Sequence, residues 1–251
     1  MARLMELLTG GNNAEVVVRI GDTVRKPWLP STPAVHAFMQ HLHAGGFEAV
    51  PAVLGQDDEG RQILEYVPGI GEQPMPDDGD LHRLGALIRE LHDLSVTFVP
   101  PEDPQWTVAI PADGAELICH QDLAPWNLIR DGERWVFIDW DASAPGTRVW
   151  DLAYVAQSFI PLVAGGDPER DARRLAVLAD AYGLGDDDRG KLPATLGERT
   201  RAMYDLLRTS AVLPWTRLWA EGHGEHWGPA AAYAEANEVS WRRAVSPGRS
   251  G

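Results

Sequence analysis

Only one cysteine, Cys119, occurs in the 251 residues, so the chain can form no intrachain disulfide and no cysteine-based zinc cluster. A reducing, cytoplasmic setting is the expectation. Long apolar runs are missing too. No segment approaches the roughly eighteen uninterrupted apolar residues of a membrane span, and Met1–Leu8 is too short for a signal-peptide core. Basic side chains are scarce: 22 Lys and Arg face 37 Asp and Glu, a formal net charge of −15. Phosphate-backbone binding needs clustered Lys and Arg, which argues against a nucleic-acid partner. A cationic small molecule would be attracted, although the same acidity also serves solubility. What is present is ordinary: 44% hydrophobic residues, enough for a sizeable core in one large domain or two lobes. No repeat or low-complexity tract interrupts it, and oligomeric state is left open.

The informative stretch is His120-Gln121-Asp122-Leu123-Ala124-Pro125-Trp126-Asn127, followed by Ile138-Asp139-Trp140-Asp141. In-line phosphoryl transfer needs a carboxylate to orient and deprotonate an acceptor hydroxyl, and oxygen ligands to hold magnesium against the phosphates. Asp122 suits the first task; Asn127 and Asp139 suit the second. The kinase catalytic loop reads H-R-D-x-x-x-x-N, and His, Asp and Asn keep those separations here, with Gln121 at the Arg place. Asp or Asn in a Pro-containing loop is often only a turn former. The apolar run Trp135–Ile138 leading directly into Asp139 favours the chemical reading.

With Gln121 in that place and Asp139-Trp140-Asp141 in place of D-F-G, the sequence resembles the aminoglycoside phosphotransferase family of small-molecule kinases. Gly146, Arg148 and Trp150-Asp151-Leu152-Ala153 resemble the family's next segment, in which an Asp opens a helix and braces the catalytic loop. The resemblance implies an α/β (α+β), two-lobed protein-kinase-like fold, with a small antiparallel-sheet N-lobe (1–68) and a larger, mainly helical C-lobe (69–251). It also implies Mg2+, ATP or GTP as co-substrate, and a small-molecule hydroxyl acceptor. That acceptor could be an aminoglycoside or related antibiotic, choline, a sugar or homoserine. His120 is expected to support the metal-binding turn through backbone hydrogen bonds, Asp141 to be an extra metal-shell or substrate-facing acid or a solvated turn residue, and Asp151 to be a brace or helix cap. A nucleotide-binding protein without turnover is the rival reading; it predicts loss of Asp122 or Asp139, and both are present.

Toward the N-terminus, the β-branched run Ala14–Ile20, the turn Gly21-Asp22 and Thr23–Lys26 read as a hairpin. Gly10–Asn13 precedes it where a kinase loop covers the nucleotide phosphates, which makes the main chain at Gly11 and Asn12 a candidate cradle. Alternation puts Val24 and Lys26 on one strand face in the manner of V-A-I-K, so Lys26 is the phosphate-binding candidate, with Arg25 next if the register slips by one. A helix over Thr32–His43 follows, with Thr32 as cap and Pro33 at its first position. It contains no acid to pair with Lys26; His36 lies near that place and is the candidate substitute. Strands are expected at Phe47–Leu54 and Arg61–Val67. Leu64–Gly69 resembles the interlobe hinge, where main-chain groups of Glu65 and Val67 would meet an adenine edge.

A Gly, Pro and acid-rich linker (Gly69–Asp80) leads to a helix over Leu81–Leu94, whose leucines and isoleucine recur at the 3.6-residue period. Further helices are expected at Asp151–Val163, Pro168–Tyr182, Leu196–Leu213 and Pro229–Arg243. In the family these late helices build the acceptor pocket. Trp215, Trp219, Trp227 and Trp241 could line it or simply fill the core. Glu221, Glu225, Glu235 and Glu238 could hold ammonium groups or face solvent.

Overall fold

A computed structural model describes residues 5–8, 17–69, 71 and 77–246. The hairpin is formed as its residues dictate: β2 (Val17–Ile20) and β3 (Thr23–Lys26) pair antiparallel, with Ile20 opposite Thr23 across the turn at Gly21, whose φ of 62° suits glycine. β1 (Met5–Leu8), β4 (Val53–Gln56) and β5 (Gln62–Glu65) complete an antiparallel five-stranded sheet in the order β1-β2-β3-β5-β4. The strand expected over Phe47–Leu54 is confined to its end. Phe47, Ala49 and Val50 are instead buried loop residues, because the Ala49 carbonyl accepts from Phe137 N–H (3.0 Å) across the molecule.

Helix α1 (Thr32–Ala44) carries Pro33 in its first turn, but Ser31 holds the cap position rather than Thr32. Its face Val35, Phe38, Met39 and Leu42 meets Leu81, Leu84, Ile88 and Leu91 of α2 (Asp78–Ser95) in one continuous core. The chain leaves the sheet through Gly69, at φ 137°, where a Cβ would lie 2.6 Å from the Ile129 side chain and 2.9 Å from the Arg130 carbonyl. Two short antiparallel pairs then frame the centre of the molecule. β6 (Leu117–Cys119) pairs with β9 (Ala144–Gly146), and β7 (Leu128–Asp131) pairs with β8 (Arg134–Phe137).

The rest is helical: α3 (Arg148–Phe159), α4 (Pro168–Tyr182), α5 (Asp186–Thr209), α6 (Trp215–Ala220), α7 (His223–Ala236) and α8 (Glu238–Val245). Three of the expected helices differ in their bounds. α3 starts three residues early because Thr147, not Asp151, is its cap, accepting from Trp150 N–H (3.2 Å). α5 begins at Asp186 and runs through Pro193; Asp186, Asp187 and Asp188 favour its N-terminal dipole, and buried Leu192 and Leu196 offset the one hydrogen bond that proline forfeits. The last expected helix breaks at Asn237 into α7 and α8.

α2 packs on α4 through Gly85, where a Cβ would fall 2.8 Å from Ala181 Cβ and 3.0 Å from the Leu178 carbonyl. Gly85→Ala gains helix propensity but overpacks this contact, so a net loss of about 1–2 kcal/mol is expected. A thermal midpoint equal to or above that of the parent chain would contradict the tight contact. Among the described residues, no helix is long and apolar enough to cross a membrane.

Candidate active site

The loop from His120 to Asn127 hangs between β6 and β7, and the turn Asp139–Ala142 between β8 and β9, so the two small strand pairs bring both motifs together. Asn127 ties them: its carbonyl accepts from Ile138 N–H (2.8 Å), and its Nδ2 donates to the Asp122 carbonyl (3.0 Å) and Oδ2 (2.8 Å). With the amide hydrogens committed to Asp122, the Asn127 amide oxygen is the atom left for a cation. His120, fully buried, meets the Ile138 carbonyl through Nε2 (3.1 Å) and accepts Asp122 N–H at Nδ1 (3.3 Å). That pattern requires the neutral tautomer protonated on Nε2, and burial keeps the ring's pKa low, so His120 supports the turn without titrating in its place.

Asp151 sits beneath the loop and is 1% exposed. Its carboxylate accepts Gln121 N–H (3.0 Å) and His120 N–H (3.2 Å) and pairs with His92 Nε2 (3.2 Å). Burial alone would raise this acid; the hydrogen bond and charge of His92 outweigh it and hold the pKa below the usual range. Gln121 (φ 70°) and Asp139 (φ 64°) are both left-handed without being glycine, and such backbone costs are tolerated where the surroundings over-determine them.

Asp122 is different. Burial raises its pKa, with the Tyr154 hydrogen bond opposing. A carboxylate so placed is a stronger base than one in water. Tyr154 O–H donates to Oδ1 (2.8 Å), and the ring stacks on Trp227 with centroids 6.3 Å apart.

Lys26, 113 residues away in sequence, reaches Asp139 Oδ1 (2.5 Å) and also ion-pairs with Asp141. Burial would depress its pKa, but Asp141 and Asp139 together raise it, and Lys26 in turn lowers the Asp139 carboxyl against the effect of burial. Strand alternation sends Arg25 elsewhere: its guanidinium pairs with Asp57 (3.3 Å) and Thr23 (2.7 Å). His36 does not touch Lys26. It bonds Gln62 (3.0 Å), which reaches Asp141 (3.4 Å), so its link to Lys26 is indirect, and burial keeps the ring's pKa low. The carboxylates on Lys26 come from the turn Asp139–Ala142 rather than from α1. Glu65 N–H bonds the Ala52 carbonyl (2.9 Å) and its carboxylate holds Ala52 N–H and Arg134; Val67 is buried. Gly11 and Asn12 lie outside the described residues.

Asp122, the Asn127 carboxamide, Asp139, Asp141 and Lys26 are thus linked in one site. The model of the phosphotransferase enzyme family, APH, matches residues 5–109 and 105–194. The chain belongs to that family. One relative is the trifolitoxin immunity protein of Rhizobium leguminosarum bv. trifolii, 32% identical over 198 residues that cover 73% of this chain and 76% of the relative. The fold is shared with the amicoumacin kinase hAmiN (TM-score 0.66, 14% identity, 97% of this chain and 90% of that one). It is shared also with a choline/ethanolamine kinase family protein from Mesorhizobium loti (0.59, 17%, 96% and 92%) and an aminoglycoside phosphotransferase from Alicyclobacillus acidocaldarius (0.55, 14%, 98% and 93%). The two-lobed protein-kinase-like architecture of these small-molecule kinases is therefore the architecture of this family member.

Two residues of the site carry no sequence signal. Tyr154 lies one turn along α3 from Trp150, in a stretch that reads as plain core. Arg199, from α5, is 4% exposed and sits over the Trp150 (5.3 Å) and Tyr154 (4.7 Å) rings. Its Nη2 donates to the Gln121 carbonyl (3.3 Å), while Nε and Nη1 have no hydrogen-bond partner among the described residues. Burial lowers its pKa. The loop has Gln121 where the kinase signature has Arg, and a guanidinium arrives at that same residue from a distant helix.

Proposed function

We propose that this family member transfers the γ-phosphoryl group of ATP or GTP to a hydroxyl of a small molecule, in the cytoplasm. The observation that carries the reading is the junction at Asn127, whose amide orients the Asp122 carboxylate while its backbone is bonded to the turn that holds Asp139. Asp122 Oδ2 accepts the acceptor's hydroxyl proton as its oxygen attacks. Asn127 and Asp139, with Asp141 beside them, form an all-oxygen donor set suited to Mg2+. When bound, that ion supplies neutralisation of the phosphate oxygens. The buried Asp141 Oδ2, which among the described residues has no hydrogen-bond partner beyond its ion pair with Lys26, fits a set that takes a further cation. Lys26 holds phosphate once the acids turn to the ion. Main-chain groups of Glu65 and Val67 serve the adenine edge, and Gly11 and Asn12 the phosphates, with residues 1–68 as the nucleotide lobe and 69–251 as the catalytic and acceptor lobe. The complex of the amicoumacin kinase with AMP-PNP and Ca2+ supports the nucleotide and the divalent ion. The immunity protein among the relatives supports an antibiotic or toxin as acceptor.

The test is Mg2+-dependent ATP or GTP consumption across hydroxylated small molecules, aminoglycosides and choline included, with Asp139→Ala as control. An acceptor-dependent rate lost in the control is expected. Consumption that persists in Asp139→Ala would remove the metal assignment. With an acceptor in hand, Tyr154→Phe should lower kcat by about tenfold or more and leave nucleotide KM unchanged, since hydrogen bonds to a charged group are worth about 1.5–3 kcal/mol. An unchanged kcat would show that Tyr154 does not position the base.

A further inference from the structure

One charge stands in an apolar row of α5. Leu192, Leu196, Met203 and Leu207 follow one another at the three- and four-residue spacing of a single helix face and pack into the core, and Arg199 occupies the place between Leu196 and Met203. Taking a guanidinium out of water is costly unless its donors are paired. Here Nη2 alone finds an acceptor among the described residues, the Gln121 carbonyl, and Nε and Nη1 are left without one. Leucine or methionine would fill such a place at lower cost, so packing does not account for an arginine there.

What Nη2 holds is the peptide directly in front of Asp122. The Gln121–Asp122 peptide donates its N–H to His120 Nδ1 (3.3 Å) and offers its oxygen to Arg199 (3.3 Å), while the preceding peptide donates Gln121 N–H to Asp151 Oδ1 (3.0 Å). Gln121, at φ 70°, is left-handed without being glycine, and such a conformation persists only where both flanking peptides are fixed. A second contact reaches the Asp122 side chain. The guanidinium carbon lies 4.7 Å from the Tyr154 ring centroid, and Tyr154 O–H donates to Asp122 Oδ1 (2.8 Å). A cation over a phenol ring draws electron density from it and makes the hydroxyl a better donor. Both the peptide and the hydroxyl partner of Asp122 are therefore touched by one side chain. The helix that carries it is firmly seated: α5 packs on α3 and α7, and at Gly197 a Cβ would fall 3.0 Å from Glu235 Cγ.

We propose that Arg199 is a positioning residue for Asp122, which from α5 fixes the Gln121–Asp122 peptide and the Tyr154 ring and so supplies the guanidinium that the loop itself lacks at Gln121. Its service to catalysis rests on the phosphotransferase reading above; its hold on the loop does not. The experiment compares the full chain with Arg199→Met, close in length and uncharged, and with Arg199→Lys. Hydrogen–deuterium exchange read by mass spectrometry, the thermal midpoint, and kcat and KM on an acceptor found by the consumption assay are measured for each. In Arg199→Met the amides of residues 120–127 should exchange about tenfold faster or more, while α2 and α4 exchange as in the parent. The midpoint should stay level or rise, because an apolar chain replaces a desolvated charge. kcat should fall by about tenfold or more with nucleotide KM unchanged. Arg199→Lys keeps a cation at the Tyr154 ring and a donor for the Gln121 carbonyl, and should recover part of both the protection and the turnover. A parent chain that transfers no phosphate, beside a loop loosened in Arg199→Met, would refute the kinase reading and leave the hold on the loop standing. Loop exchange equal to the parent's, a lowered midpoint with faster exchange throughout the chain, or an Arg199→Lys variant no better than Arg199→Met would overturn the proposal.

Discussion

Asp122→Ala is expected to abolish measurable phosphoryl transfer, a loss of about 10³-fold, while the protein folds as well as before. A positioned general base contributes on the order of 10²–10⁴-fold, and here the same carboxylate also fixes the Asn127 amide and receives the Tyr154 hydroxyl. Stability should move the other way. Burial raises the Asp122 carboxyl pKa above its ordinary 3.8. An acid raised on folding costs stability wherever it is ionised in the folded state, that is, above its folded pKa, and the cost vanishes as pH falls below the ordinary value. Removing it should therefore leave the thermal midpoint at pH 7 unchanged or higher, a trade of stability for activity. Two measurements decide this: the transfer rate on an identified acceptor, and the midpoint at pH 7 against pH 4. Turnover within tenfold of the parent would end the base assignment, and a large drop in midpoint would show that Asp122 is structural.

Asp151→Ala should do the reverse and damage the fold first. The substitution strands the His120 and Gln121 backbone N–H groups and leaves His92 beside a void, all in the buried centre. Breaking a buried charged network by removing one partner costs about 3–5 kcal/mol. For a chain of this size that corresponds to roughly 10 °C in the thermal midpoint. The folded-state pKa of Asp151 is depressed. Its stabilising contribution is therefore complete above the ordinary value of 3.8 and is lost as pH falls through the lower folded value. The acid limb of the stability curve below about pH 4 should accordingly be flatter in the variant. Tyr182, which bonds His92 Nδ1 (2.9 Å) and is bonded in turn by Arg148 (2.8 Å), extends the network, so Tyr182→Phe should show a smaller version of the same loss. A midpoint in Asp151→Ala within a degree or two of the parent would mean that the loop is held by other contacts.

Both effects concern residues whose spacing is visible in the chain. His120, Asp122, Asn127 and Asp139 fall within a segment of two tight loops and two short strand pairs, and Asp151 lies in the first turn of the helix that follows, so sequence separation nearly dictates spatial separation. The hairpin and the periodic helix α2 were legible for the same reason: their patterns of two and 3.6 are local. Boundaries set by distant partners were not. Phe47–Val50 looks like a strand, but its backbone is claimed by Phe137. The acidic, proline-containing start of α5 looks like a connection, yet packing holds it helical.

The sequence by itself determined the chemistry available, an acid, a carboxamide and a second acid at fixed separations, and with it the family. It also bounded the alternatives through one cysteine, few basic residues and no long apolar run. Only the tertiary structure decided which cation meets those acids. Lys26 and Arg25 are adjacent in the chain, and the pleat of β3 sends one to Asp139 and the other to Asp57. It alone brought Tyr154 and Arg199 beneath the loop from His120 to Asn127. Such contacts join elements far apart in sequence, and they are fixed by strand register and helix packing, which no spacing along the chain encodes.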